Sequence, residues 1–508
     1  MYFTRYFNLK DVAISLFLFF ISFFALLIVM RSAFYFFPHT KYYRWVSQDA
    51  LLKDVPEGIF KLGIKPAVKN LRLKIYDNGK LIFDRILKKM PQSIELKLKF
   101  KKNDLHFVAN KFIVPSRINP ESSDNRRISF NIWNINHSRA SMDVKCENFD
   151  RGKGFYFLEK FDARYMGVIG AMITYMNHWD YFWYASIVEK GYQFDGDGKK
   201  QQNSAWPFLF PYLGKFVKWL TGWNTAVSLT FLSNLFLLGI LFVGVKLGKL
   251  LSISREGVFL SLLLFLSNPF SFFLHFGFSE SLFIFLSSLS LFLYLKKKEY
   301  TSSVFAGLSS GTRFVGVTYL LLPIYSFLIS KKKGKRFLKT LFLVFLSISG
   351  LMLTMAILWI KVGDPLAFVK LQSAWKGSLD FLWGDLRDTL KNPLNVFFLP
   401  DVLGFFVFII SFTYSIFVAI WSVKFGGRDG SWSKNYTLIL SLYSLLPMLP
   451  VFLRFSPNAL GRYSLVAFPV YLTLPKFFSK YLLIPLLVLF FLLKYSMILR
   501  VYNGLTPW

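Results

Sequence analysis

The sequence holds one cysteine, Cys146, in 508 residues. That excludes an internal disulfide and a cysteine-rich metal centre. Charge is scarce too: 18% of residues are Asp, Glu, Lys or Arg, where a soluble enzyme carries about a quarter. Acidic residues are the rarer sign, 28 against 61 Lys and Arg, and there are only five His. Neither a disordered nor a collagen-like chain fits such a composition. What fills the chain is apolar: 54% hydrophobic residues, with 61 Phe, 25 Tyr and 13 Trp. A formal charge of +33 in so apolar a chain points to loops facing anionic lipid, not to nucleic acid. The composition is that of an integral membrane protein.

Residues 12–30 form an uncharged run long enough to cross about 30 Å of hydrocarbon. Arg31, Phe34 and Tyr35 follow it instead of a small-residue cleavage site, so it reads as a retained span. Further apolar runs lie near 225–245, 257–275, 279–295, 302–329, 337–360, 402–423, 436–453, 463–475 and 481–499. Gly311-Thr312-Arg313 breaks the run 302–329 into two short helices, up and back, which makes about eleven crossings. If the spans alternate, the clusters Lys246/Lys249/Arg255, Lys296-Lys297-Lys298, Lys331–Arg336, Lys424/Arg428/Lys434 and Lys476/Lys480 share one side. The positive-inside rule makes that side cytoplasmic. Segments 34–205, 362–400 and 455–461 and the end of the chain, Asn503–Trp508, are then external.

The segment from His39 to Asp162 is polar and reads as strands. Leu71–Tyr76 alternates, Asp77-Asn78-Gly79 is a hairpin turn, and Lys80–Phe83 resumes the pattern. Ile94–Phe100 alternates as well, and 105–114 and 127–135 are weaker strands. The expected fold is therefore mainly α, a polytopic membrane protein with an inserted external all-β domain. Its parts are a first transmembrane helix (1–33), a β-rich, sandwich-like domain (34–163), juxtamembrane amphipathic helices (164–222) and a multi-span core (223–508). The β-rich segment carries 25 Lys and Arg against 14 Asp and Glu. Its basic surface either faces anionic lipid or docks an acidic glycan or lipid acceptor. His106 and His137 stand alone in it and read as surface residues.

Candidate chemistry lies elsewhere. Segment 177–192 is aromatic and amphipathic, with Trp179, Trp183 and Ile187 at helical spacing, which fits a helix in the outer interface. Asp180 in its first turn is either a carboxylate satisfying helix-start N–H groups or a general base at the membrane's edge. His275, Glu280, Arg313 and Arg462 lie within apolar stretches, where ionisable groups are costly and functional by default. Each can equally be a tie between helices, and His275 is the weakest functional candidate. Arg313, beside Ser309-Ser310-Gly311-Thr312, marks a break where backbone N–H groups and a guanidinium can hold a phosphate. Arg462 follows an outer loop and can do the same.

The motifs His178-Trp179-Asp180 with Trp183-Tyr184 and Gly191-Tyr192 resemble the first external motif of the PIG-V family, the GPI mannosyltransferase II type, and its bacterial relatives. Trp206–Pro211, Asn268-Pro269-Phe270 with Ser279-Glu280-Ser281, Gly311-Thr312-Arg313, Gly363–Val369 with Gln372 and Trp375, Arg462-Tyr463 with Phe468-Pro469, and Tyr502-Asn503-Gly504 resemble later motifs of that family. They occur in order over about 165–508, most of the chain.

The resemblance implies a GT-C glycosyltransferase, a multispan hexosyltransferase that takes a sugar, typically mannose, from a polyprenyl-phosphate donor on the non-cytoplasmic face. The essential first-loop Asp of the family carries over to Asp180. His178, Trp179, Trp183, Tyr184, Asp364, Gln372 and Trp375 fall on motif positions expected to contact substrate. The β-rich insertion, His39 to Asp162, departs from the family pattern and bears mainly on the acceptor, a lipid or a glycan.

A lipid phosphate is already a good leaving group, so the reaction needs a base, cations and exclusion of water. Asp180 is the expected base, and Arg313 and Arg462 the expected phosphate ligands. Glu280 is expected to orient a sugar hydroxyl, tune Asp180 or help ligate a divalent metal. No dense carboxylate or His cluster calls for that metal, so no cofactor is required. Direct displacement inverts the anomeric centre. The expected location is a bacterial inner membrane with the site facing outward, or the endoplasmic reticulum in a eukaryote. The alternative is a polytopic lipid or glycan transporter or flippase, with the broken segment 302–329 as a discontinuous transport helix.

Overall fold

In a computed structural model of the chain, the structure describes residues 8–36, 44–55, 57–88, 92–114, 117, 127–137, 145–149, 180–330, 333–375, 400–425, 434–454 and 460–502. The chain divides into two compact units: Met1–Val29, Met176–Leu499 and Thr506–Trp508 form one, Met30–Tyr175 and Arg500–Leu505 the other.

The smaller unit is a β-sheet of eight strands: β1 (Arg44–Val55), β2 (Gly58–Pro66), β3 (Leu71–Asp77), β4 (Lys80–Leu87), β5 (Gln92–Leu98), β6 (Asn103–Ala109), β7 (Phe130–His137) and β8 (Lys145–Phe149). Their order is β4-β3-β6-β1-β7-β2-β5, with β8 also on β1. Hydrogen bonds thus join all eight into one sheet. The reason is the long β1, which pairs with β7 at Arg44–Val46 and with β6 from Asp49 to Val55. Strands β3, β5 and β6 alternate buried with more accessible residues, as period-2 patterning demands. One apolar core gathers Val46, Leu62, Leu73, Leu96, Phe107 and Phe130 from six strands. The β3–β4 turn has positive φ at both Asn78 (47°) and Gly79 (83°), the backbone of a two-residue primed turn. His106 is not isolated, because its ring bonds the carboxylate of Asp49; the side chain of His137 lies outside the described residues.

The larger unit is helical. It begins with α1 (Leu9–Phe36, whose first residues it holds) and continues with α2 (Asp180–Lys190), α3 (Leu209–Thr221), α4 (Thr225–Leu250), α5 (Arg255–Ser267), α6 (Glu280–Leu295), α7 (Glu299–Ser310), α8 (Leu321–Leu328), α9 (Lys333–Val362) and α10 (Ala367–Lys370). There follow α11 (Pro400–Phe425), α12 (Lys434–Arg454), three short helices α13 (Leu460–Ser464), α14 (Phe468–Tyr471) and α15 (Leu474–Phe477), and α16 (Lys480–Tyr502). Among the described residues, six helices are long and apolar enough to cross a membrane: Leu9–Met30, Thr225–Leu250, Arg336–Val362, Val402–Lys424, Tyr436–Leu453 and Lys480–Leu499. This is compatible with a multi-pass membrane protein.

The remaining five segments expected to cross are short or interrupted. Helix α5 has 13 residues and α6 has 16, about 20 and 24 Å at 1.5 Å per residue. Pro269 stops α5, and the stretch 460–477 is cut into α13, α14 and α15, with Pro469 and Pro475 at the starts of the last two. The run 302–329 does go up and back: Glu299 at the start of α7 and Ser326 near the end of α8 both bond Arg336. Helix α7 crosses α9 at unusually close range, since a Cβ at Gly350 would collide with the carbonyl of Gly307 and the amide of Gly311.

The two ends of α4 differ in chemistry. At its C-terminal end, Asp11 of α1 takes ion pairs from Lys246 (2.8 Å) and Lys249. The same end holds Gly257, against Pro475, and Lys476, over the ring of Trp421. Around its N-terminal end sit α2, α3 and the residues described next.

Candidate functional site

Four ionisable side chains from four distant segments meet in the helical unit. Asp180 opens α2 and is 9% exposed. Glu280 opens α6 after a tight phenylalanine-rich turn and is 2% exposed. Arg462 lies on α13 and is 3% exposed, and Arg313 follows the end of α7.

Local sequence explains each placement. Asn268 turns the chain after α5 by accepting from the Phe270 amide at 2.9 Å, while its own amide donates to the Tyr471 hydroxyl at 2.9 Å. Ser281 closes the turn onto the Leu274 carbonyl at 2.6 Å, which fixes the start of α6. Gly461 lets α13 lie on the ring of Phe270, where any Cβ would collide, and so delivers Arg462. Arg313 leaves α7 with an extended backbone (φ −143°, ψ 133°).

Arg462 donates through Nε to Glu280 Oε1 at 2.6 Å, through Nη2 to the same oxygen, and through Nη1 to Asp180 Oδ2. Arg313 Nη1 reaches Glu280 Oε1 at 2.7 Å. One carboxylate oxygen therefore holds two guanidiniums. The other, Oε2, is buried with no hydrogen-bond partner among the described residues. Aromatic faces complete the enclosure: Arg462 lies 4.8 Å from the ring centre of Phe273 and 5.0 Å from that of Phe278, and Arg313 lies 4.7 Å from that of Tyr463. At such distances a desolvated cation is drawn to the ring. Two carboxylates and two guanidiniums sum to zero, which makes a buried cluster tolerable. Burial pushes the Asp180 carboxyl above the usual range, with Arg462 pulling it back.

Asp180, Glu280, Arg313 and Arg462, all singled out in the sequence, are thus brought together. Tyr184 joins them: one turn after Asp180, its hydroxyl shares a 2.7 Å hydrogen bond with Ser279, next to Glu280. Its ring packs edge-on against Trp206 and Phe210 at 5.3 and 5.1 Å. Trp183 is half-buried. His178 and Trp179 lie outside the described residues, as does the side chain of Trp375.

The loop after α9 is a different matter. Asp364 caps the amide of Leu366 at 2.9 Å and pairs with Lys370 at 2.5 Å, and that bond from Lys370 lowers its carboxyl. The Gln372 amide donates to the Phe368 carbonyl at 3.2 Å. These bonds all lie within the loop itself. The loop does reach the cluster's neighbour, because Phe368 stacks on Phe314 with ring centres 4.3 Å apart.

Two expectations need correction. At the break, the amides of Gly311, Thr312 and Arg313 are bonded to the Gly307 and Ser309 carbonyls at 3.0–3.2 Å, so these three are not free to hold a phosphate. Helix α2 is packed rather than laid on a surface: Tyr181, Tyr184, Ala185, Ile187 and Val188 are all buried. The exposed aromatic face belongs to α3 and the residues after it, with Phe216, Trp219 and Trp223 at 53, 76 and 41% exposure. His275 is a tie: its Nε2 bonds Ser22 of α1 at 2.9 Å and its Nδ1 bonds Asn234 of α4 at 2.8 Å.

Phe273, Phe278 and Tyr463 escaped the sequence reading as site residues. Their position next to buried arginines is the only signal, and it needs the fold. Among the described residues, no group of three or more His, Cys, Asp or Glu is placed to hold a metal. No family model matches the chain, and no curated protein matches it either. The likeness to the PIG-V family rests on the motifs alone.

Proposed function

We propose that the chain is a membrane glycosyltransferase of the GT-C type, moving a mannose-like sugar from a polyprenyl-phosphate donor to a lipid or glycan acceptor with inversion. The observation that carries this reading is the convergence of Asp180, Glu280, Arg313 and Arg462, from positions up to 282 residues apart, at the end of α4 opposite the lysine-rich one. In this reading the lysine-rich end is cytoplasmic and the ion cluster faces the other side. The shorter apolar segments add five crossings to the six long ones.

The chemistry follows from the charges. An acceptor hydroxyl attacks the anomeric carbon, its proton passes to Asp180, and the bond from that carbon to the phosphate oxygen breaks. Polyprenyl phosphate leaves with the bonding pair. Arg313 and Arg462 stabilise the charge that develops on it, an effect that is strongest where water is excluded. Because Glu280 now occupies both guanidiniums, donor binding exchanges carboxylate contacts for phosphate contacts. Burial raises the proton affinity of Asp180, which suits a base. No metal is required by this scheme.

The test is reconstitution of the full chain in liposomes with radiolabelled polyprenyl-phosphate mannose and a hydrophobic acceptor. Transfer should be measurable with the wild type and lost at least a hundredfold in Asp180→Asn, in line with removal of a general base. Movement of the donor across the bilayer without any transfer would refute the enzyme reading in favour of a flippase.

A further inference from the structure

At the lysine-rich end of the helical unit, remote from the ion cluster, α1, α4 and α5 enclose a cavity of about 40 Å³. Its wall is divided. Lys10, Lys249, Arg255 and Asp11 line one part, and Ile14, Val245, Ile253 and Val258 the other. Asp11 is 1% exposed and already committed to Lys246 and Lys249. Among the described residues, neither Lys10 nor Arg255 has an acidic partner. Three cations, Lys10, Lys249 and Arg255, share the wall with one carboxylate, a surplus of two positive charges, and that carboxylate is also paired with Lys246. At roughly 10–15 Å³ per water-sized probe, the cavity accommodates a small oxyanion and not a whole lipid.

The aliphatic half of the wall argues against a site built for a freely dissolved anion. It continues along α1 into exposed Leu16, Phe17, Phe20 and Phe24, with Phe17 stacked against Phe259 of α5 at 6.3 Å. A cationic hollow at a helix end that opens onto an apolar helix face matches a phosphate with acyl chains attached. We propose that this cavity holds the headgroup phosphate of one anionic phospholipid, whose chains lie along α1. The bound phosphate neutralises Lys10 and Arg255 and pins the start of α1 to the join between α4 and α5. The site is independent of the transferase reading.

Purified full-length protein in neutral detergent, titrated with phosphatidylglycerol, phosphatidylcholine or inorganic phosphate, tests this by native mass spectrometry. One phosphatidylglycerol should be retained at least tenfold more tightly than phosphatidylcholine. Lys10→Gln/Arg255→Gln, both at exposed positions, should weaken it about thirtyfold, at the usual contribution per basic residue near an anionic headgroup. Lys296→Gln/Lys297→Gln removes two cations from the far end of α6, outside the cavity, and should leave the affinity within twofold. Equal retention of phosphatidylcholine, equal capture of inorganic phosphate, or an equal loss in the second variant would each overturn the proposal.

Discussion

Glu280 is the hub of the buried charges, and its removal gives the sharpest forecast. In Glu280→Ala, Arg462 loses its Nε and Nη2 acceptor and Arg313 loses its ion pair, so two buried guanidiniums share one remaining carboxylate. Breaking a buried pair by deleting one partner costs about 3–5 kcal/mol, and the expected loss lies at the upper end of that range. Asp180→Ala removes a single bond from Arg462, which stays anchored on Glu280, and should cost about 1.5–3 kcal/mol. The double variant Glu280→Ala/Arg462→Ala removes a charge of each sign and should fall short of the sum of its singles by about 1–3 kcal/mol. Unfolding of the full chain in mixed micelles, titrated with a denaturing detergent and followed by circular dichroism, measures all three together with Arg462→Ala alone. If Glu280→Ala costs no more than Asp180→Ala, or the double variant is strictly additive, the carboxylate does not hold both arginines and the site as drawn is wrong.

Other outcomes follow from the same geometry. Transfer by the reconstituted protein should fall as pH drops through a value above the ordinary Asp range, since burial raises the Asp180 carboxyl; a profile flat down to that range would exclude Asp180 as base. The raised carboxyl favours folding in its protonated form, so its own contribution to stability is largest at low pH and is lost as pH rises through the raised value. Gly350→Val should lower the unfolding midpoint sharply, because its side chain would meet the Gly307 carbonyl and the Gly311 backbone, an overpacking that costs at least about 1–3 kcal/mol. His275→Ala should cost about 1–3 kcal/mol by leaving Ser22 and Asn234 without their shared partner, with transfer by the folded fraction unchanged.

Much of this architecture was legible because apolar surroundings make polar residues conspicuous. Asp180, Glu280, Arg313 and Arg462 stood out for that reason, and four charges that must be paired in a greasy bundle have few partners but one another. The β3–β4 hairpin was legible from Asn78-Gly79, whose backbone freedom the primed turn requires. Strands β1 and β2 were not: β1 mixes Ser47, Gln48, Asp49, Lys53 and Asp54 with its buried Val46, Ala50, Leu52 and Val55, and its pairing is set by partners far away in sequence. Among the described residues only six of the expected crossings are long unbroken helices, because hydropathy cannot see the turn that Asn268 and Pro269 impose inside an apolar run. Phe273 and Phe278 were lost among 61 phenylalanines, and only the fold picks out which of them face a cation.

The spacing of the four charges along the chain also bears on how the protein is made. A ribosome delivers Asp180, Glu280 and Arg313 long before Arg462, so the nascent bundle carries an excess negative charge that no earlier segment of the cluster can cancel. Electrostatic closure of the interior is then among the last events of biosynthesis. A chain cut short before α13 would hold every long apolar helix but α16, and would still lack the residue that locks its interior together.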